Sequence, residues 1–370
     1  MYVTLTGPRN NAGDFLIRQR ALAILARVRP DRPVHNLNSW ESIDESRLDT
    51  INAAKALILC GGPAVRPRMV PPYDLPPDKL KRIKVPIVTM GLGWNHKDGT
   101  WNAVTRATPT PETRCLLARI RADGLANSVR DVEAAVFMGK EGVDNVMVTG
   151  CPTLFGEDAL DTLPKTVRDA TQVVVSAGVL SRCEGSEFEQ QFHIIVEFVC
   201  RNFGVENVTV AFHHATDPAA YAAAYGSGVA VADQALHRWV VGKGIAWRDI
   251  SGTAQSMLDL YGNCRLHIGF RVHAHLLCTS LQRPSILLAE DSRGFGAGRL
   301  LGGWVIPAIE AQTAVVTQEE VPQEASSGLE HMLQEAVASF VADDLSLFRA
   351  PWERASLLRN RMTQFLRLLP

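Results

Sequence analysis

The stretch CRLHIGFRVHAHLLCTSLQRPSILLAE, residues 264–290, places an apolar strand, a helix and a second apolar strand in close succession. Short runs rich in β-branched residues, separated by segments of helical period, mark βα units built on a parallel sheet. The same alternation recurs outward from this stretch. Strands are predicted before it at QVVVSAGV (172–179), NVTVAFHH (207–214) and GIAWRDI (244–250), and after it at GWVIPA (303–308). Helices are predicted between them, most clearly at FEQQFHIIVEFVCRNFG (188–204) and TAQSMLDLYG (253–262). Toward the N-terminus, strands are predicted at YVTLT (2–6), KALILC (55–60), PIVTMG (86–91), LANSV (125–129) and NVMVTG (145–150). A helix follows the first of these on the apolar stripe Phe15, Leu16, Ala21, Leu22, Leu25 and Val28, and others are predicted at 112–123 and 132–139.

The alternation stops once. CPTLFGEDALDTLPKTVRDAT (151–171) contains proline and keeps no period, as a connection between domains does. A chain of 370 residues is also long for a single core. The fold expectation is therefore α/β, with two Rossmann-like, doubly wound lobes facing a cleft: residues 1–165, residues 166–335, and a helical segment over 336–370 that crosses back to the first lobe. Ligands of such sheets sit outside the carboxyl ends of the strands, so residues just after a strand are the ones to inspect.

Composition narrows the function. The 38 basic and 39 acidic residues nearly cancel, and no block of like charge marks a nucleic-acid or membrane surface. The opening MYVTLTG reads as a strand without a signal-peptide pattern, and no apolar run approaches the roughly 18–20 residues of a membrane span. A cytoplasmic location is the expectation. The seven cysteines are scattered with no CxxC pair, which favours buried free thiols over disulfides or a zinc site.

Several strand ends carry polar or glycine residues. In GPRNNAGDFLI (7–17), Asn11 and Asp14 stand at a helix entrance, where Asp14 either caps the helix or faces a ligand. Gly61 and Gly62 follow the KALILC strand and GLGWN (91–95) follows PIVTMG, without completing a GxGxxG or GxxxxGK phosphate pattern. Arg130 and Asp131 end SVRD (128–131). Asp291 and Arg293 open AEDSRGFGAGR (289–299), which reads as a glycine-rich loop. The most specific signal is GFRVHAH. Arg271 and His273 fall at the first turn of a helix, where free N–H groups and the dipole favour an anion, and where arginine adds a planar fork for carboxylate or phosphate. His275 lies roughly 200° round the helix from His273, so the two do not face one ligand. A salt-bridged arginine with core histidines, and a three-histidine metal site with His267, stand as alternatives.

Taken in order, NNAGDFLI, ILCGGPAV, VTMGLGWN, SVRDVEAAVFMG, VTGCPTLF and GFRVHAHLLCTSLQRPSILLAED resemble the polysaccharide pyruvyl transferase family, from about Asn10 to about Gly303. The family's NxGD-type turn matches Asn11 and Asp14, its glycine-rich strand end Gly61 and Gly62, its SxRD stretch Ser128, Arg130 and Asp131, and its RxHA motif Arg271, His273 and Ala274. The resemblance implies a fold similar to two-lobed GT-B glycosyltransferases. It also implies a phosphoenolpyruvate donor held by Arg271 and His273, and a saccharide acceptor, lipid-linked or free. Peripheral attachment at the inner membrane face would follow from a lipid-linked acceptor.

Two departures stand out. Where many members carry a Y-x-x-K-like arrangement, this chain has Ala289 to Arg293, which leaves Arg293 as the replacement cation. The arginine common after the first strand of the second lobe is delayed to Arg182. The implied chemistry is transfer of a pyruvyl group to sugar hydroxyls as a ketal, with His273 as acid, Asp14 as base from the opposite lobe, and no metal or organic cofactor. The rivals are a nucleotide-sugar glycosyltransferase on the same fold and a non-catalytic descendant in a polysaccharide pathway.

Overall fold

The computed structural model describes residues 1–70, 72–156, 170–179, 185–226, 233–308 and 323–370. It divides into two compact units, one formed by Met1–Pro8, Ile17–Glu157 and Arg354–Pro370, the other by Arg9–Leu16 and Asp158–Glu353.

The first unit holds strands β1 (Tyr2–Thr6), β2 (Val34–Asn38), β3 (Leu57–Cys60) and β4 (Ile87–Met90) in the order β2-β1-β3-β4. All are parallel. Beyond the end of β4 the chain docks on a parallel pair, β5 (Asn127–Val129) and β6 (Val146–Val148). Gly91 there donates its N–H to both the backbone oxygen and Oγ of Ser128, and Leu92 bridges to Val129. β3 and β4 are buried along their length, as strands covered on both faces must be. β2 was not expected. Its VHNLN sequence is half polar and half buried, and it lies at the sheet edge, where Asn36 Oδ1 accepts from Thr4 and Thr6 hydroxyls at 3.0 and 2.9 Å.

The second unit carries six parallel strands: β7 (Val173–Ser176), β8 (Val208–Phe212), β9 (Ala246–Asp249), β10 (Leu266–Gly269), β11 (Ser285–Ala289) and β12 (Val305–Pro307). Their order is β12-β11-β10-β7-β8-β9. The order reverses direction at β10 and β7, so the carboxyl ends of these neighbours and of β8 form the topological switch point. Each strand falls inside its expected segment.

Three expectations need correction. The expected first lobe included residues 9–16, which belong to the second unit, and the expected C-terminal segment from 336 joins the first unit only from Arg354. The AEDSRGFGAGR stretch is not a loop but the helix Ser292–Leu301. Its glycines serve close packing: a Cβ on Gly294 would lie 2.8 Å from Ala289 Cα, and one on Gly298 would lie 3.0 Å from a Val305 methyl. Finally, among the cysteines Cys60, Cys151, Cys264 and Cys278 are buried and free, but Cys115 is exposed.

Candidate functional site

The second unit gathers Asn11, Asp14, Arg271 and His273 at the carboxyl ends of its central strands. β10 ends at Gly269 and the helix Val272–Ser280 begins three residues on, with Arg271 at its N-cap. Gly269 is obligatory there: its φ is +152°, and a Cβ would come within 2.5–2.7 Å of Ser176 atoms. Seven other helices begin with Asp44, Thr100, Thr110, Asp131, Ser186, Asp217 or Thr253, each accepting a hydrogen bond from its helix, whereas those led by Pro76 and Asp233 have no such bond. Arg271 can only donate, and no side-chain bond caps its helix. A cation thus replaces the usual acceptor where the helix presents its N–H groups, an arrangement suited to an anion.

Arg271 is 6% exposed and is gripped at both ends. Its backbone N–H donates to Ser176 Oγ at 3.2 Å, and its Nη2 donates to Asn11 Oδ1 at 3.3 Å and to His214 Nδ1 at 3.1 Å. Asn11 serves several partners. Its Oδ1 also accepts from the Gly13 N–H at 3.2 Å, and its Nδ2 donates to Asp14 Oδ2 at 3.3 Å. Asn10 fixes this turn on the second unit, its Oδ1 accepting from Ala215 N–H at 2.7 Å. His273 packs against the same turn, since a Cβ on Gly13 would be 2.3 Å from its Nδ1 and 2.9 Å from its Cβ.

Asp14 has a pKa raised from 3.8 to about 6, because loss of solvation outweighs the attraction of Arg271, the Asn11 hydrogen bond and the attraction of Arg293. The carboxyl thus titrates close to neutrality and is mostly ionised at pH 7.

The other expected residues are placed differently. Asp14 does not come from the opposite lobe: it belongs to the same unit as Arg271. Arg293 is near enough to act on Asp14, and it is also paired: its Nε donates to both Asp291 carboxylate oxygens at 2.9 and 2.8 Å, and Glu290 lies 3.6 Å away. Burial works against its charge, yet these carboxylates raise its pKa further. Gly61 has a φ of +64° and abuts Ile17, 2.1 Å from a notional Cβ, so its smallness serves the turn after β3; Gly62, at φ +77°, opens on nothing within 4 Å. Arg130 sits in the first unit, 4% exposed, its guanidinium flat against Gly93 and its Nε on Asp131 at 3.2 Å. Its Nη1 and Nη2 meet no acceptor among the described residues. Arg182 lies outside the described residues.

His267 and His275 do not join His273. They are fully buried, and both place Nδ1 at 2.8 Å from Ser285 Oγ. Among the described residues no group of three or more His, Cys, Asp or Glu side chains is placed to hold a metal ion, and no helix is long and apolar enough to cross a membrane. Sequence reasoning missed His214, Ser176 and Tyr261. The one available signal was the histidine pair that ends the NVTVAFHH stretch, just beyond a buried strand.

The second unit is thus a parallel α/β unit with an arginine-led helix end, a carboxyl titrating near 6 and a histidine at its switch point. The family model for polysaccharide pyruvyl transferase matches residues 11–292, and the chain belongs to this family of transferases. No curated protein matches the chain. Among solved structures it is similar to UDP-GlcNAc 2-epimerase from Neisseria meningitidis bound to UDP-GlcNAc, at 10% identity, TM-score 0.48, over 98% of this chain and 99% of that one. It is likewise similar to the Methanocaldococcus jannaschii UDP-GlcNAc 2-epimerase in complex with UDP-GlcNAc and UDP, at 10% identity, TM-score 0.48, over 97% and 100% of the two chains. The Rickettsia bellii UDP-N-acetylglucosamine 2-epimerase gives 11% identity, TM-score 0.46 and coverage of 99% and 95%.

Proposed function

We propose that this protein transfers the pyruvyl group of phosphoenolpyruvate to two hydroxyls of a saccharide, forming a ketal and releasing phosphate. The supporting observation is the cation at the N-cap of the helix Val272–Ser280, tied through Asn11 to the carboxyl of Asp14 and set beside His273. Phosphoenolpyruvate offers a carboxylate and a phosphate, and Arg271 with the helix N–H groups supplies fixed donors for one of them.

The chemistry follows from these groups. His273 delivers a proton to the methylene carbon, and the adjacent carbon gains cationic character. One sugar hydroxyl adds there while Asp14 takes its proton, a role that a carboxyl titrating near pH 6 fills at neutral pH. The second hydroxyl displaces phosphate by cleavage of the carbon–oxygen bond. Over the cycle one hydroxyl proton ends in the new methyl group and the other leaves with phosphate.

Calorimetric titration of phosphoenolpyruvate tests this reading. Wild type should bind saturably, and Arg271→Ala should weaken binding at least about 100-fold, on the scale of losing a charge-assisted pair. His273→Ala should keep most of the binding while phosphate release with acceptor falls about 100-fold or more. Absence of binding to folded wild type, with or without saccharide, would sink the proposal.

A further inference from the structure

Beneath the site runs a line of buried polar side chains that the proposed chemistry does not use. His275 Nδ1 contacts Ser285 Oγ at 2.8 Å, and Ser285 Oγ contacts His267 Nδ1 at 2.8 Å. His267 Nε2 contacts Ser176 Oγ at 2.9 Å. Tyr261 stands edge-on to the His267 ring, 5.4 Å between centroids, and its hydroxyl meets His213 Nε2 at 2.7 Å. All six residues are buried. Loss of solvation lowers the pKa of each histidine, His275 to about 4, so all three are neutral near pH 7.

Neutral imidazole has one donor and one acceptor nitrogen, and a hydroxyl has one proton. Links of this kind therefore run in one direction or the other along the whole line. The end decides which. His275 Nε2 is buried and meets no hydrogen-bond partner among the described residues. An orphaned buried N–H is rarer than an under-used acceptor, so the proton belongs on Nδ1. It then donates to Ser285, Ser285 to His267 Nδ1, and His267 Nε2–H to Ser176. Ser176 Oγ therefore accepts from both His267 Nε2 and the Arg271 N–H.

We infer that this one-way hydrogen-bond chain, from His275 to Ser176, positions Arg271: Ser176, with its acceptor capacity filled by His267 and Arg271, locks the N-terminus of the helix that carries the anion-binding arginine. Ser176, His267 and Ser285 are positioning residues, linked to Arg271 but remote from its guanidinium. The fork is held separately, by His214 just beyond β8, which meets Arg271 Nη2 at 3.1 Å. The arginine is thus steadied at its backbone by the chain and at its fork by His214.

The inference rests on the donor-site reading for its functional arm alone. Long-range 1H–15N correlation of imidazole-labelled wild type reads the tautomers directly. Protons on His275 Nδ1 and His267 Nε2 are expected, and the opposite set, or a mixture, overturns the one-way chain whatever the protein binds. Ser285→Ala then cuts the chain two links from Arg271. Its phosphoenolpyruvate Kd should rise about three- to tenfold, with the His267 tautomer no longer fixed. An unchanged Kd together with a scrambled His267 overturns the positioning role. Wild type that fails to bind phosphoenolpyruvate fails the donor reading and leaves the tautomer test standing.

Discussion

Arg130 in the first unit and Arg271 in the second occupy matching places, each just after a strand and at the start of a helix, yet their surroundings are opposite. Asp131 follows Arg130 and caps the helix Val132–Lys140, accepting from Ala134 N–H at 3.0 Å and from Trp94 N–H at 3.1 Å. That helix end is closed, whereas the outer nitrogens of the guanidinium meet no acceptor among the described residues. At Arg271 the guanidinium has partners in Asn11 and His214, but the arginine itself occupies the N-cap and no side-chain bond closes the helix. One residue of offset moves the unmet hydrogen bonding from helix to side chain. The lesson is that an arginine at a helix start marks a backbone anion site only where it displaces the capping acceptor.

The sharpest way to break the comparison is Asp131→Ala. It removes a cap, an acceptor for Trp94 and the partner of a buried guanidinium together, so urea unfolding should show a loss of roughly 3–5 kcal/mol. Phosphoenolpyruvate affinity, measured on the folded fraction, should not change. A parallel loss of affinity would mean that the first unit, too, holds the donor.

Asp14→Asn examines the second unit's carboxyl. Its folded pKa of about 6 exceeds the ordinary 3.8, so the folded state disfavours ionisation. This group's contribution is most favourable below about pH 4, declines as pH rises through 4 to 6, and stays low above that. Asp14→Asn should therefore be more stable than wild type by about 1–3 kcal/mol at pH 7.5, with the gap closing as pH falls from 6 to 4. Turnover should fall, and the acidic limb of the pH profile near 6 should disappear. Persistence of that limb would assign it elsewhere.

The smallest expected effect is that of Gly13→Ala. The new methyl would lie 2.3 Å from His273 Nδ1 and 2.9 Å from its Cβ, so the ring must turn and the residue must shift slightly; turnover should drop about tenfold, with phosphoenolpyruvate binding less affected. Equal loss of both would show that the turn, not the histidine, had moved.

Much of this was legible in the sequence. The strands of both units and the GFRVHAH transition follow from periodicity and β-branching, which act over a few residues. β2 was not legible, since an edge strand carries weak alternation. The helix Ser292–Leu301 was hidden by glycines whose reason is their contact with β11 and β12. Arg293 read as an available cation because nothing in the order of residues reveals how tightly Asp291 folds around it.

By itself the sequence determined a parallel α/β chain of the polysaccharide pyruvyl transferase family and put Arg271 and His273 at a helix start. Only the tertiary structure decided that Asn11 and Asp14 belong with them, that His275 and His267 turn inward, and that Arg271 is held by Ser176 and His214. The reason is physical. Helix and strand are set by neighbours a few positions apart, whereas the partner of a buried polar group is chosen by packing, here between residues as far apart as Asn11 and Arg271, 260 positions along the chain.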